Sequence, residues 1–410
     1  MSTRKRLSIC YAAPGQNLLP TAGPTRNVLS VAEALSEWAD VAVAFRSVLV
    51  PFDPKTYRVI AIEPASPASG NHKDDTATRG FHPVRHLAYC RRLQAFAGEC
   101  VGSFDVVLEK GWRLSGYLSA CCHRAGVPAA LVENAVSLWL DPVDDVRQLG
   151  KYMLHRAAVA VTNSCCRRIP IVIAETEQLK QQLVTHRGVP PDRIPVIRLG
   201  VDHRLFRPMD QQPARDALGI APDSVVLLYV GGIDEYHDLE PVVDALGLVK
   251  RGIELHVVGD GEYRARFEAR AETAGIRSRF YGHVRHDTVA QYIAAADLCI
   301  APYRTTAFHN GVVTFSTLKI PEYMACGRPV VSVPSPAIGR LIANGVNGFL
   351  FPNDASSWVS FVNALPSREC LAKLGRAAAE AAASIRWEST AKGYLQVCQQ
   401  LTLRDLGSGR

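Results

Sequence analysis

Residues 308–331 read Phe308-His-Asn-Gly-Val-Val-Thr-Phe-Ser-Thr-Leu-Lys-Ile-Pro-Glu-Tyr-Met-Ala-Cys-Gly-Arg-Pro-Val-Val331. A polar loop carrying Gly311 runs into a short helix, expected over Ser316–Cys326, on which Lys319 and Glu322 stand three residues apart. Gly327 stops the helix, and the β-branched Val330-Val331 opens a buried strand at once. A helix start behind such a loop concentrates unpaired backbone N–H groups, which suit a diphosphate. Lys319 adds a positive charge there, and a carboxylate one turn on, Glu322, can accept both hydroxyls of a ribose. Phosphate beside ribose means a nucleotide. The competing reading of the same window is an amphipathic surface helix with an ordinary i,i+3 Lys–Glu pair.

Strand-like and helix-like stretches alternate on both sides of this window, the pattern of parallel sheets covered by helices. Strands are expected at Leu7–Ala12, Val41–Phe45, Val59–Ile62, Asp105–Leu108, Ala129–Val132 and Ile171–Ala174, with helices at Thr25–Glu37, His86–Gly98, Leu114–Arg124, Val143–Ala158 and Glu177–Thr185. Glu63–Pro83 reads as a surface loop. Later strands are expected at Val225–Val230, Glu254–Val258, Arg279–Tyr281, Leu298–Ile300, Pro329–Val333 and Gly348–Phe351. The helices among them fall near Leu239–Lys250, Tyr263–Ala274, Asp287–Ala295 and Trp358–Leu365, with a helical tail at Trp387–Leu403.

The 410 residues fit two α/β domains, and 48% apolar content is ample for two buried sheets. No apolar run approaches the ~18 residues that span a bilayer. The basic start Met1-Ser-Thr-Arg-Lys-Arg precedes too short an apolar stretch for a signal peptide and reads as a first strand. Eleven cysteines, with no Cys-x-x-Cys pair and with doublets at Cys121-Cys122 and Cys165-Cys166, match no zinc spacing and predict a reduced, cytoplasmic protein. The net charge of +7 suits polyanionic ligands or an anionic membrane. Scattered basic residues without aromatic stacking motifs disfavour nucleic acid. Arg85, Arg91 and Arg92, and Arg147, Lys151, Arg156, Arg167 and Arg168, read first as solvated helix faces and second as a patch for peripheral contact with the inner face of the membrane.

The 308–331 stretch resembles the donor-site signature of retaining glycosyltransferases with the GT-B fold, glycosyltransferase family 4 in particular. The linker-like Val189–Asp202 with Phe206-Arg-Pro208, the strand and glycine turn Val225–Gly232, and the segments His256–Glu262, Phe280–Arg285 and Ala294–Tyr303 follow that family's order. The resemblance covers residues 189–352 and fades before them. It implies two doubly wound Rossmann-like domains facing each other across a cleft, residues 1–207 on the acceptor side and 208–385 on the nucleotide-sugar side. The last helix, near 386–405, would return to the first domain.

By that resemblance Glu322 and Lys319 hold the nucleotide, and Gly231, Gly232, Tyr236, Asn310, Gly311, Val312, Val313, Thr314 and Ser316 complete the donor site. The family's Arg and Lys after the glycine turn are here Gly232 and His237. His237 is then either a phosphate donor, its pKa raised by the dianion, or a helix-capping or surface histidine. Arg285 is a second source of the lost charge after Lys319. The Glu that the family often places eight residues before the ribose-binding one is here Thr314, so the sugar is not specified. On the acceptor side, Val107–Trp112 lacks the assisting histidine. That leaves Glu109 and Lys110 as its replacements, with Trp112, Glu133 and Asn134 toward the acceptor and Gly15, in the loop Pro14–Pro24, toward the diphosphate. Glu109, Lys110, Glu133 and Asn134 suit the binding of acceptor hydroxyls as well as the handling of protons, and the Gly15 loop reads also as a plain turn.

No Asp-x-Asp pair occurs, so no metal or other cofactor is expected. Arg264 stands where a dinucleotide fingerprint needs its third glycine, which disfavours NAD. The function that follows is a retaining hexosyltransferase. It would move a hexose from a nucleotide-sugar, UDP-linked first of all, to a hydroxyl of a glycan, a lipid-linked intermediate or a small molecule. The alternative is a degenerate GT-B domain that binds a nucleotide-sugar or a protein partner without transfer.

Overall fold

The computed structural model describes residues 6–19, 23–63, 83–136, 146–249 and 251–407. The chain divides into two units, residues 1–198 with 387–410, and residues 199–386. The first holds strands β1 (Ser8–Leu18), β2 (Asp40–Val48), β3 (Arg58–Ala61), β4 (Val106–Lys110), β5 (Ala129–Glu133) and β6 (Val172–Ala174). Its helices are α1 (Gly23–Ser36), α2 (Pro83–Cys100), α3 (Tyr117–Arg124), α4 (Val146–Arg168) and α5 (Glu177–Gln182). The second holds α6 (Gln211–Leu218), β7 (Val225–Val230), α7 (Glu240–Val249), β8 (Ile253–Val258), α8 (Arg264–Thr273), β9 (Arg277–Gly282), α9 (Val289–Ala295), β10 (Leu298–Ala301), α10 (Lys319–Ala325), β11 (Val330–Ser332), β12 (Gly348–Leu350), α11 (Ala355–Asn363) and α12 (Arg368–Ala382). The last helix, α13 (Trp387–Gly407), belongs to the first unit.

The strand orders are β3-β2-β1-β4-β5-β6 and β12-β11-β10-β7-β8-β9, the same doubly wound order read from opposite edges. The strand pairs are parallel. Such sheets are covered on both faces, and accordingly every residue of β4, β5, β8 and β10 is buried. α13 places Tyr394, Val397, Cys398 and Leu401 in one cluster with Val28, Leu29 and Val31 of α1. The eleven cysteines are all free.

Several boundaries differ from the sequence reading. The division falls at 198/199 rather than 207/208, because the intervening chain is tied to the second unit. Val201 N donates to Ile385 O (3.2 Å), and Phe206 lies in that unit's core. β1 runs through the expected Pro14 loop to Leu18, resuming its pairing at Asn17 after a register shift, where a proline costs the ladder nothing. The alanine-rich Ala377–Ala383 lies mostly within an unexpected helix, α12. Alanine favours helix, and Leu371, Leu374, Ala378 and Ala382 bury one face. α4 continues ten residues past the expected Ala158, to Arg168. α10 starts at Lys319, not Ser316, with Leu318 as an N-cap that makes no side-chain cap and the Thr317 hydroxyl accepting from Tyr303. The loop expected at Glu63–Pro83 falls almost wholly outside the described residues.

Candidate functional site

In open parallel sheets ligands bind beyond the carboxyl ends of the strands, where the strand order reverses. In the second unit that point lies between β7 and β10. The glycine turn Gly231-Gly232 follows β7, and the loop from Arg304 to Leu318 leads from β10 to α10. These elements meet at Lys319. Its Nζ donates to the Tyr229 hydroxyl (3.0 Å), lies 4.3 Å from the Tyr229 ring centroid and 5.8 Å from that of Tyr303. A Cβ on Gly231 would come within 2.7 Å of this Nζ, so the ammonium reaches the turn only because residue 231 has no side chain. Burial lowers the Lys319 pKa to about 7 against the opposing charges of Asp234 and Glu322. The full charge expected from the sequence is therefore shared with a neutral form near neutrality.

The glycines also fix the turn. Gly259, after β8, would set a Cβ 2.0 Å from Gly231 O, so two glycines are needed for the strand ends to meet. Gly231 N donates to Val258 O (2.9 Å) and Ile233 N to Asp260 O (3.0 Å). Of the two glycine amides expected to face a diphosphate, that of Gly231 is spent on the fold, leaving Gly232. The amide supply of α10 is also thinner than expected, because Pro321 in its first turn has no N–H.

His237 sits beside this group, its ring 5.8 Å from Tyr229 and 5.2 Å from Tyr303 between centroids. Its Nδ1 is 2.7 Å from Asp234 Oδ1. Burial, and then the Lys319 charge, lower its pKa to about 4. The sequence reading had a dianion raise this pKa. Here the ring is neutral, with Nδ1–H directed at Asp234. Tyr236 is half exposed and packs on Phe308 (5.6 Å), which in turn packs on Phe315 (5.6 Å), so an aromatic row borders the turn. Asn310 (φ 53°) and Gly311 (φ 70°) are both left-handed and exposed in the same loop. Val312, Thr314, Ser316 and Glu322 are partly buried.

Two of the expected donor residues go elsewhere. Val313 is fully buried in the core, so only its backbone is left to serve a ligand. Arg285 is 82% exposed and pairs with Asp287 (2.5 Å), because Asp287 follows it in the same tight turn.

In the first unit the carboxyl ends of β4 and β5 carry the expected acceptor residues, and here the structure reassigns several of them. Glu109 is fully buried, and its carboxylate accepts from Trp112 Nε1 (2.9 Å), Gly116 N (3.0 Å) and Ser119 N (2.7 Å). It satisfies amides at the start of α3 rather than standing free for proton transfer. Burial nevertheless raises its pKa. Lys110 is 1% exposed and bonds Glu175 Oε1 at 2.7 Å. Burial alone would lower its pKa, but Glu175, with Tyr11 and Glu133, more than offsets this, and the ammonium is retained. Trp112 packs edge-on against Tyr89 (5.6 Å), and a Cβ on Gly15 would stand 2.5 Å from Trp112 Cβ. Gly15 thus lies in β1 and, having no side chain, leaves room for Trp112. Glu133, at the end of β5, is 1% exposed with its Oε1 unpartnered, and Asn134 beside it is partly buried. Of the basic residues read as a patch, Arg92 pairs with Glu99 and donates to Ile62 O, while Arg91, Arg156, Arg167 and Arg168 are exposed. The side chains of Arg85, Arg147 and Lys151 lie outside those described.

The sequence reading missed Glu175, Tyr229, Asp234 and Tyr303. A carboxylate directly after the apolar run Ile171–Ala174 marks a strand's carboxyl end, which was signal enough for Glu175. The tyrosines read as ordinary strand residues. Among the described residues no group of three or more His, Cys, Asp or Glu could hold a metal ion, and no helix is long and apolar enough to cross a membrane.

Comparison with known proteins bears on the family and the fold. Residues 23–205 match the model described as glycosyltransferase family 4, and residues 224–367 that of glycosyl transferases group 1. The D-inositol 3-phosphate glycosyltransferase of Kribbella flavida is 30% identical over 352 residues, covering 78% of this chain and 77% of the relative. Sucrose-phosphate synthase from Thermosynechococcus elongatus superposes with a TM-score of 0.75 at 20% identity, over 97% of this chain and 100% of that one. Anabaena HepE, in its crystal structure with UDP-glucose, gives 0.72 at 18% identity over 96% and 100%. Both likenesses show the GT-B fold.

Proposed function

We propose that this chain, which belongs to glycosyltransferase family 4 and is a glycosyltransferase, transfers a hexose from a nucleotide-diphosphate sugar, UDP-linked first of all, to an acceptor hydroxyl with retention of configuration. The observation that carries the donor assignment is Lys319 Nζ held against the Gly231 turn at the β7/β10 reversal. An ammonium beside a glycine turn, in a partly enclosed site, is worth most where negative charge grows, on the diphosphate as the glycosidic bond opens. A dianion placed there raises the Lys319 pKa and holds the ammonium form. Glu322, one turn further on, suits the ribose hydroxyls. HepE, a structural neighbour, was crystallised with UDP-glucose, which favours the uridine base.

The diphosphate needs no metal in this reading, because Lys319 and the Gly232 amide supply positive potential and the chain has no Asp-x-Asp pair. His237, neutral and fixed by Asp234, orients within the site rather than adding charge. The resemblance to retaining family 4 enzymes supports retention. Acceptor contacts fall to the β4 and β5 ends of the first unit, around Glu133 and Asn134.

Calorimetry with UDP, GDP and ADP tests the donor, with UDP expected to bind tightest. Release of hexose from UDP-hexose without acceptor is expected to be slow but measurable and to fall sharply in Lys319→Ala. Tight UDP binding with no release under any condition would instead support a binding protein without transfer.

A further inference from the structure

Three helices of the first unit, α2, α3 and α4, form one layer on its sheet. α2 lies against α3, and α3 against α4. Leu93 of α2 and Leu118 of α3 share a cluster with Ala129 of β5, and Cys166 of α4 shares one with Leu131, which faces the same way two residues on. The three helices carry nine of the chain's 46 Lys and Arg residues but only one, Glu99, of its 39 Asp and Glu residues. The rest of the chain holds 37 of the first kind and 38 of the second, so the net charge of +7 comes entirely from this layer. Arg91, Arg124, Arg156, Arg167 and Arg168 are exposed and have no carboxylate partner among the described residues, whereas Arg92 pairs with Glu99. α4 alone runs for 23 residues, about 35 Å, without an acidic group. Aliphatic side chains stand out among these cations. Leu87 of α2 is 58% exposed, and Met153 and Val161 of α4 are 60% and 42% exposed.

Cations gathered on one face without counter-charges repel one another, and an anionic surface relieves that repulsion. Exposed leucine, methionine and valine between the arginines suit a partner with an apolar interior beneath its charged groups. A polynucleotide would call instead for aromatic rings to stack on its bases. We propose that the layer of α2, α3 and α4 docks on the surface of an anionic lipid bilayer, with the arginines against phosphate headgroups and Leu87 and Met153 in the acyl boundary. Each cation near such a surface strengthens adhesion about fivefold, and salt screens the effect beyond about 10 Å. Docking of this kind is independent of the donor chemistry proposed above and needs no helix across the bilayer.

The test floats the full chain with vesicles of phosphatidylcholine alone or of equal parts phosphatidylcholine and phosphatidylglycerol. Binding is expected to be about tenfold or more tighter to the anionic vesicles and to weaken as salt rises. Arg156→Gln/Arg168→Gln, at two exposed positions, is expected to lose about twentyfold. Arg277→Gln, which removes an exposed cation from the second unit, is expected to change little. Leu87→Ser/Met153→Ser is expected to weaken vesicle binding by about tenfold, from the apolar area no longer buried, while leaving heparin binding unchanged. Circular dichroism and Tm report on the folding of each variant. No preference for the anionic vesicles, or an equal loss in Arg277→Gln, overturns the inference. Vesicle binding unaffected by Leu87→Ser/Met153→Ser also overturns it and leaves a soluble polyanion, probed with polyuridylate, as the occupant.

Discussion

The ammonium of Lys319 rests on Tyr229, 3.0 Å from its hydroxyl and 4.3 Å from its ring centroid. Tyr229 is fully buried in β7, so the tyrosine is a rigid seat that sets where the positive charge stands. The seat also withdraws the amine from water, which is why its pKa falls to about 7.

A pH dependence follows. The ligand-free amine is charged below about pH 7 and neutral above it, and bound diphosphate favours the charged form. Above pH 7, where the UDP terminal phosphate is mostly ionised, UDP affinity is thus expected to fall by up to about tenfold per unit of pH. Lys319→Met should abolish that slope and raise Tm, because a buried amine is replaced by an apolar chain of similar length. Calorimetry from pH 6 to 9 reads the first and thermal unfolding the second. A slope that persists in the methionine variant would assign it to another group.

Gly231→Ala tests the approach of the turn to the lysine. The added Cβ would stand 2.7 Å from Nζ, at a backbone φ of 141° that non-glycine residues rarely adopt. The expected result is a loss of turnover of about tenfold to a hundredfold, the order by which a displaced electrostatic group slows transfer. Circular dichroism should keep the wild-type shape. Unchanged turnover would remove the Lys319–turn contact from the mechanism.

Glu322→Ala should weaken UDP binding by about 1.5–3 kcal/mol, the range for hydrogen bonds to a charged group. Binding of the 2′,3′-dideoxy analogue should change little, since it lacks the hydroxyls concerned. Equal losses for both nucleotides would contradict the ribose assignment.

The Lys110–Glu175 pair tests the first unit. Both side chains are 1% exposed, so Glu175→Ala leaves an uncompensated buried cation and should cost about 3–5 kcal/mol of stability. The double variant Lys110→Met/Glu175→Leu should recover most of that loss in denaturant unfolding. A single variant as stable as the wild type would show that water reaches Lys110.

The sequence carried the alternation that builds the two sheets, because the periodicity of apolar residues is a relation between near neighbours. It also placed Lys319 and Glu322 one turn apart on a helix, Gly231 and Gly232 in the turn after a strand, and Glu133 at a strand end. All of these need only local pattern. What it could not carry was the occupancy of each group. Glu109 reads like a catalytic carboxylate until Gly116 and Ser119 are seen to fill it. Lys110 reads as free until Glu175 closes on it from 65 residues away. Val313 reads as a site residue until the core takes its side chain. Desolvation and hydrogen-bond saturation depend on which distant segments share a volume, and only the folded chain brings Tyr229 beneath Lys319, 90 positions later.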